Sequence, residues 1–289
     1  MKKTIMKIDR ESESFPDKLR YIKNPPGQLY CTGDISLLNR TAVGVVGSRK
    51  YTVYGKQVSL MVGKRLAESG LVVVSGLARG IDSYAHEGML EVNGRGIAVI
   101  GSGINTLGPA GTVNLMNDIL DAGGLVVSEY EPDMPATAYT FPARNRIISG
   151  LSAALVVVEA NFNSGALITA QFANEQGKTV YCVPGNINSQ FSMGSNLLIR
   201  DGAVPLVVID DIARELDVMP DLSDEDCINL RLGEDEREIV DVIRQFNSVS
   251  PDTISSILNK KIAETNSLLT VLEIKGIIES YGGKVHMIV

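Results

Sequence analysis

From Thr41 onward the chain alternates short apolar runs with segments of helical period, and it does so seven times in succession. The runs are Val43–Val46, Leu71–Ser75, Ile97–Ile100, Leu125–Ser128, Ala154–Val158, Thr179–Val183 and Pro205–Ile209. Helical patterns follow them at Gly55–Ser69, Ile81–Val92, Val113–Ala122, Ala143–Gly150, Ala166–Gln176, Ser195–Asp201 and Asp210–Leu216. The runs are continuously apolar rather than alternating, as strands covered on both faces are. Strict alternation with helices predicts right-handed crossovers and an α/β fold built on a doubly wound, mainly parallel sheet. Ligands of such sheets sit beyond the carboxyl ends of the strands, so the loops that follow each strand are where chemistry is sought.

The flanks differ. Residues 1–40 are mixed and marked by Pro16, Pro25 and Pro26, and read as an N-terminal extension. Residues 41–216 form the Rossmann-like domain. Between Ile209 and Glu238 twelve acidic residues meet three basic ones, which places a solvated acidic linker at 217–233. Beyond it, Glu234–Phe246 carries Ile239, Val242, Ile243 and Phe246 on one face. Ser250-Pro251-Asp252 caps a second helix to Leu258, Ala263–Lys275 is a third, and Gly282-Gly283 joins the strands of a hairpin. Three helices and a hairpin predict a small winged-helix domain at 234–289. Its third helix carries Glu264 and Glu273, and residues 233–289 hold six basic and nine acidic residues. That balance favours a protein-contact or inter-domain role over reading phosphates.

The formal charge of the 289-residue chain is −7, which excludes a basic coat for duplex nucleic acid but not a localised basic site. Residues 1–209 taken alone are close to neutral. Cys31, Cys182 and Cys227 are far apart and His86 and His286 are the only histidines, so neither a disulfide scaffold nor a metal site is expected, and no cofactor motif is present. No stretch reaches the apolar length of a membrane span, and the reading is a soluble cytoplasmic protein without a membrane partner.

Five strand-end loops carry Gly, Ser or both. The first strand ends in Gly47-Ser48-Arg49-Lys50, and the second in Ser75-Gly76 with Arg79-Gly80 and Asp82 close behind. The third ends in Gly101-Ser102-Gly103, the fifth in Glu159 with Ser164-Gly165 opening a helix, and the sixth in Pro184-Gly185. Backbone N–H groups at such turns, on one sheet edge, make a phosphate-lined cleft. Between the fourth and fifth strands, Phe141, Arg144, Asn145 and Arg146 sit near a helix start. Cations there oppose the helix dipole and so suggest a bound anion, and Phe141 offers a face for a base. Asp82 and Ser164 also read as helix caps, and His86 as packing support.

These segments together resemble the DprA (Smf) family, the DNA-processing proteins of bacterial natural transformation. The resemblance rests on the Gly47-Ser48-Arg49 turn, SGLARGID at Ser75–Asp82, GSGI at Gly101–Ile104 and SEYEP at Ser128–Pro132. It continues through FPARNRIISGLS at Phe141–Ser152, VVEANFNSGALITAQFA at Val157–Ala173, Val183-Pro184-Gly185 and GSNLLIRDGA at Gly194–Ala203. It implies a protein without catalysis that binds single-stranded DNA, forms a homodimer and loads the recombinase RecA. The implied DNA contacts fall on Gly47, Ser48 and Arg49 and on the Phe141–Arg146 segment. Gly108-Pro109 stands where relatives usually carry Tyr-Pro, and the first thirty residues are too short for the N-terminal helical module of many relatives. A competing reading is a nucleotide-binding or nucleotide-hydrolysing protein of a related Rossmann-like fold, of the phosphoribohydrolase type, with Glu159 as acid or base if it turns over. The PGGxGT signature of that group is missing.

Overall fold

The computed structural model describes residues 4–218, 232–246 and 248–287. The chain divides into two compact units, up to residue 219 and from 220 onward. Most of the acidic linker expected at 217–233 lies outside the described residues.

The first unit is built on a nine-stranded sheet. Its strands are β1 (Met6–Asp9), β2 (Gln28–Gly33), β3 (Ala42–Val46), β4 (Val72–Ser75), β5 (Gly96–Ile100), β6 (Leu125–Ser128), β7 (Ala154–Val157), β8 (Thr179–Cys182) and β9 (Val204–Pro205), in the spatial order β1-β2-β6-β5-β4-β3-β7-β8-β9. Its helices are α1 (Asp17–Arg20), α2 (Val53–Glu68), α3 (Ile81–Leu90), α4 (Ala110–Asp121), α5 (Thr140–Leu151), α6 (Gly165–Glu175), α7 (Met193–Arg200) and α8 (Asp210–Glu215). From β6 across to β9 every pairing is parallel.

Three departures from the sequence reading have physical causes. Residues 1–40 are not merely an extension, because β1 and β2 add an antiparallel edge to the sheet, with Cys31 opposite Val127 of β6. Their mixed composition hid them, since β1 buries only Ile8 and β2 mixes Gln28 and Thr32 with its apolar residues. The last strand is two residues long instead of five. Pro205 has no N–H to extend the ladder, and Val207 and Val208 are exposed. Helix α5 begins at Thr140, so Phe141 and Pro142 are its first turn, where proline costs nothing.

Both faces of the sheet are covered. In β3, Ala42 and Val46 join one core with Leu19, Ile147 and Ala170, and Val43 and Val45 join the other with Val62, Ile81 and Met116. This two-sided burial is why the central strands read as unbroken apolar runs. On the second face α2 and α3 pack backbone to backbone. A Cβ on Gly63 would stand 2.0 Å from the carbonyl oxygen of Ala85, and one on Gly88 would stand 2.0 Å from that of Leu60.

The second unit contains α9 (Glu234–Phe246), α10 (Pro251–Leu258), α11 (Ile262–Ile274) and a hairpin of β10 (Ile278–Tyr281) and β11 (Lys284–Met287). Ser250 caps α10 by accepting the N–H of Thr253, with Pro251 in the first turn. Val249 bridges to Val285, and Ile239, Ile243, Ile254, Leu269, Leu272 and Val285 form the core.

The paired glycines of α2 and α3 give the first prediction. Alanine gains about 1 kcal/mol of helix propensity over glycine. Forcing a methyl onto a backbone carbonyl costs about 1–3 kcal/mol or more. Gly63→Ala is therefore expected to lower the urea midpoint with the slope unchanged. A raised midpoint would show that the two helices are free to separate.

Candidate functional site

The strand order runs from β3 through β4, β5 and β6 on one side and through β7, β8 and β9 on the other. Crossovers therefore diverge between β3 and β7, and a crevice opens beyond their carboxyl ends. A cleft of about 590 Å³ occupies this place. The loop after β3 (Gly47, Ser48, Arg49, Lys50), Asp82 of α3, the start of α5 (Phe141, Arg144, Asn145) and the start of α6 (Ser164, Gly165) line it.

Its floor is a buried network. Asp82 accepts the N–H of Gly47 at 3.3 Å through one oxygen and that of Gly76 at 3.2 Å through the other. Arg144 donates to the carbonyls of Gly76, at 2.7 Å, and of Val99. Burial pushes the Asp82 carboxyl above the usual carboxylate range, against the pull of the Arg144 charge and of the two N–H groups. Burial likewise lowers Arg144, to about 10, with Asp82 working the other way. The loop after β4 crosses close beneath the loop after β3. Gly80 takes φ 105°, and a Cβ there would lie 2.6 Å from the carbonyl oxygen of Ser48, so only glycine fits. Ser75 is buried and donates to the carbonyl of Val45 at 2.5 Å.

The rim carries the available charge. Arg49 and Lys50 are exposed and belong to no ion pair among the described residues. The Arg49 guanidinium lies over the Phe141 ring, 5.1 Å from its centroid, an arrangement that holds a cation in place while leaving its donors available. Opposite stands the N-terminus of α6. Ser164 accepts the N–H of Ala166 at 3.3 Å, Asn145 donates to the carbonyl of Gly165 at 3.3 Å, and nothing crowds the Cα of Gly165. A helix start with two cations facing it favours an anion.

The structure thus brings Gly47, Ser48, Arg49, Lys50, Phe141, Arg144, Asn145, Ser164 and Gly165 together at one cleft. Ser75 and Gly80 support it from behind. Arg79, Gly101 and Ser102 line an adjoining cleft of about 920 Å³, together with Gly76. Gly103 is elsewhere, packed on the carbonyls of Glu131 and Pro132. The four cations of these segments, Arg49, Lys50, Arg144 and Arg146, are divided. Arg146 is spent on Glu129 at 2.7 and 2.8 Å and on the carbonyl of Asn24 at 2.7 Å, and Arg144 is spent on the floor. The cause is the burial of α5, which is covered on every side from Arg144 to Leu151, so that Arg144 and Arg146, pointing to opposite sides of the helix, both meet protein.

Two acids have roles that residue type alone did not reveal. Asp82 binds the N–H groups of two neighbouring loops rather than those of its own helix. Glu159 accepts the N–H of Thr52 at 2.9 Å and its hydroxyl at 2.6 Å, which holds Thr52 as the N-cap of α2, and it lies beside a separate cleft. His86 is fully buried, and burial lowers it to about 4. Asn161, Asn163 and Thr169, which also line the first cleft, carried no distinguishing sequence signal. Among the described residues no group of His, Cys, Asp and Glu could hold a metal ion, and no helix is long and apolar enough to cross a membrane.

Comparison with known proteins locates this arrangement. The model of the family "DNA recombination-mediator protein A" matches residues 6–217. The chain is 36% identical to "Protein Smf" of Escherichia coli over 286 residues, 96% of this chain and 75% of that protein. It is 39% identical to "DNA processing protein DprA" of Bacillus subtilis over 210 residues, 72% of this chain and 70% of the other. Among solved structures it resembles DprA of Streptococcus pneumoniae, with a TM-score of 0.69, 38% identity and coverage of 73% and 74%. It also resembles DNA processing protein A of Helicobacter pylori, whose structure was described for its single-stranded DNA binding mode, with a TM-score of 0.66, 29% identity and coverage of 74% and 96%.

The floor and rim should respond differently to substitution. Arg144→Met strands two buried carbonyls and leaves the Asp82 charge uncompensated, a loss of about 3–5 kcal/mol. Arg49→Ala removes an exposed side chain and should change stability by about 0.5 kcal/mol or less. Urea unfolding of the two variants checks this. Equal midpoints would remove the distinction.

Proposed function

The chain belongs to the DNA recombination-mediator protein A family, and from that premise we propose that it binds single-stranded DNA and acts as a recombination mediator. In this reading it protects incoming DNA during natural transformation and loads RecA onto it. It works in the cytoplasm as a homodimer, by binding and without turnover. The observation that carries the reading is the rim of the switch-point cleft. Arg49 and Lys50 are exposed there, outside any ion pair among the described residues, with the Phe141 ring and the start of α6 beside them. Phosphate oxygens suit the cations and the helix N–H groups, and a base suits the aromatic face. The names of the relatives, DNA processing proteins, and the single-strand binding mode described for the Helicobacter pylori protein support it. The net charge of −7 supports a narrow site over a broad duplex-coating surface.

Binding of a labelled oligothymidylate titrated against salt tests the site. Each neutralised phosphate adds about 0.7 to the slope of log affinity on log salt for a single strand. The double variant Arg49→Ala, Lys50→Ala is expected to bind more weakly, with a slope shallower by about 1.4. Identical slopes would overturn the placement of the site. The mediator role is read in a filament assay: the protein should shorten the lag of RecA assembly on DNA already coated by single-strand-binding protein. A lag unchanged by the protein overturns that part alone.

A further inference from the structure

The loop that carries Arg49 and Lys50 is held at both ends by one residue. At its start the N–H of Ser48 donates to the backbone carbonyl of Glu159 at 2.7 Å. At its end the N–H and the hydroxyl of Thr52 donate to the two carboxylate oxygens of the same Glu159, at 2.9 and 2.6 Å. Glu159 is 1% exposed, has no ion-pair partner among the described residues, and lines neither cleft that Arg49 borders. A carboxylate out of water with no cation beside it is costly unless donors reach it. The donors that reach this one are those that close the loop. Gly55 makes room for it, since a Cβ there would stand 2.1 Å from a carboxylate oxygen. Gly55 lies in the first turn of α2 without a positive φ, a place where glycine is otherwise a poor choice. While donating to Glu159, the Thr52 hydroxyl also accepts the N–H of Gly55 at 3.1 Å, so the end of the loop and the start of the helix are fixed together. Within the loop, the N–H of Lys50 donates to the Ser48 hydroxyl at 3.2 Å and the Tyr51 hydroxyl meets that of Tyr84 at 2.6 Å, but neither bond joins the two ends.

We propose that Glu159 is the positioning residue of the rim: it clamps residues 48–52 into one arch and so sets the affinity for single strands without touching them. The proposal rests on the reading of the rim as the single-strand site, and it gives Glu159 a task other than the acid or base of a hydrolase. The physical basis is preorganisation. Arg49 and Lys50 are adjacent, exposed and on a loop, and Arg49 has only the Phe141 ring to lie against. With its ends free, such a loop presents its two cations in many arrangements, and the cost of selecting one falls on binding. With its ends tied to a single buried residue next to β7, the arrangement exists before the ligand arrives. The side chain of Glu159 holds only the far end, and its backbone carbonyl holds the near one. Removing the carboxylate therefore opens the arch at Thr52 and leaves Ser48 in place.

Three substitutions open the clamp from different sides. Glu159→Ala removes the carboxylate, Thr52→Val removes the hydroxyl, and Gly55→Ala drives a methyl onto the carboxylate. Each should weaken oligothymidylate binding, Glu159→Ala by about tenfold. Thr52→Ser keeps both donors and should rescue the loss seen in Thr52→Val. The distinguishing readout is a cycle with the rim double variant at low salt. In the Arg49→Ala, Lys50→Ala background, Glu159→Ala should lower affinity no further, because the loop then has no cations to place. Hydrogen exchange reads the arch directly: amides of residues 48–52 should exchange faster in Glu159→Ala, while those of β3, β4 and β5 keep their protection. If Glu159→Ala does not fold, Thr52→Val and Gly55→Ala carry the same cycle. Wild-type affinity in the clamp variants, with binding weakened in the rim double variant, overturns the clamp and leaves the rim standing. An equal further loss in the double-variant background also overturns it, since Glu159 would then act through something other than the two cations. A rim double variant that binds like the wild type overturns the clamp together with the reading it rests on.

Discussion

Asp82 receives the N–H of Gly47 through one oxygen and that of Gly76 through the other, and Arg144 holds the carbonyls of Gly76 and Val99. Two opposite charges, both removed from water, thereby join the ends of three neighbouring strands, β3, β4 and β5. Neither is inexpensive to bury alone, because an isolated charge loses several kcal/mol of solvation. Each is acceptable because the other is near and because backbone groups bind it: two N–H groups for Asp82 and two carbonyls for one nitrogen of Arg144. Arg49 and Phe141 derive their positions from this floor, since they extend from the loop it fixes and from the helix that carries Arg144.

The floor also determines which backbone groups are available for a ligand. Glycine-rich loops at strand ends commonly offer their N–H groups to phosphates. Here the N–H groups of Gly47 and Gly76 are already occupied by Asp82, and that of Ser48 by the carbonyl of Glu159 at 2.7 Å. The anion-binding capacity of the cleft therefore lies in side chains and in the start of α6, not in the turn after β3. This separates the cleft from dinucleotide-binding sites on the same architecture, where the first turn itself cradles the phosphates. The GxGxxG spacing is absent for a reason visible in the fold: the turn is spent on tying strands together.

The layout of the parallel sheet could be read from the chain because two-sided burial leaves an unmistakable trace, a run with no polar alternation. The switch-point cleft followed from the order of strands and helices, and Arg49, Lys50, Phe141 and Ser164 were found at it. What could not be read was orientation within helix α5. Arg144 and Arg146 differ from Arg49 in nothing a sequence records, yet α5 is covered on every side from Arg144 onward and takes both out of solvent. The strands β1 and β2 were missed because β1 buries only Ile8 and β2 sets Gln28 and Thr32 among its apolar residues, a weak pattern in a proline-marked stretch. Asp82 illustrates a third limit. An acid in the first turn of a helix reads as a cap, and only the fold shows that the N–H groups it binds come from two other loops.

The charge of −7 gains a different meaning once the rim is separated from the floor. Residues 1–209 hold nineteen basic and seventeen acidic residues, but Arg144 and Arg146 face inward, so the exposed balance near the cleft rests on very few cations. Two or three phosphate contacts supply only a modest, salt-sensitive attraction, and any polyanion would share it. Under the proposed single-strand binding, selectivity must then come from something a duplex or a free phosphate lacks. An unstacked base is such a feature, and the Phe141 ring beside Arg49 is an aromatic face that the rim holds.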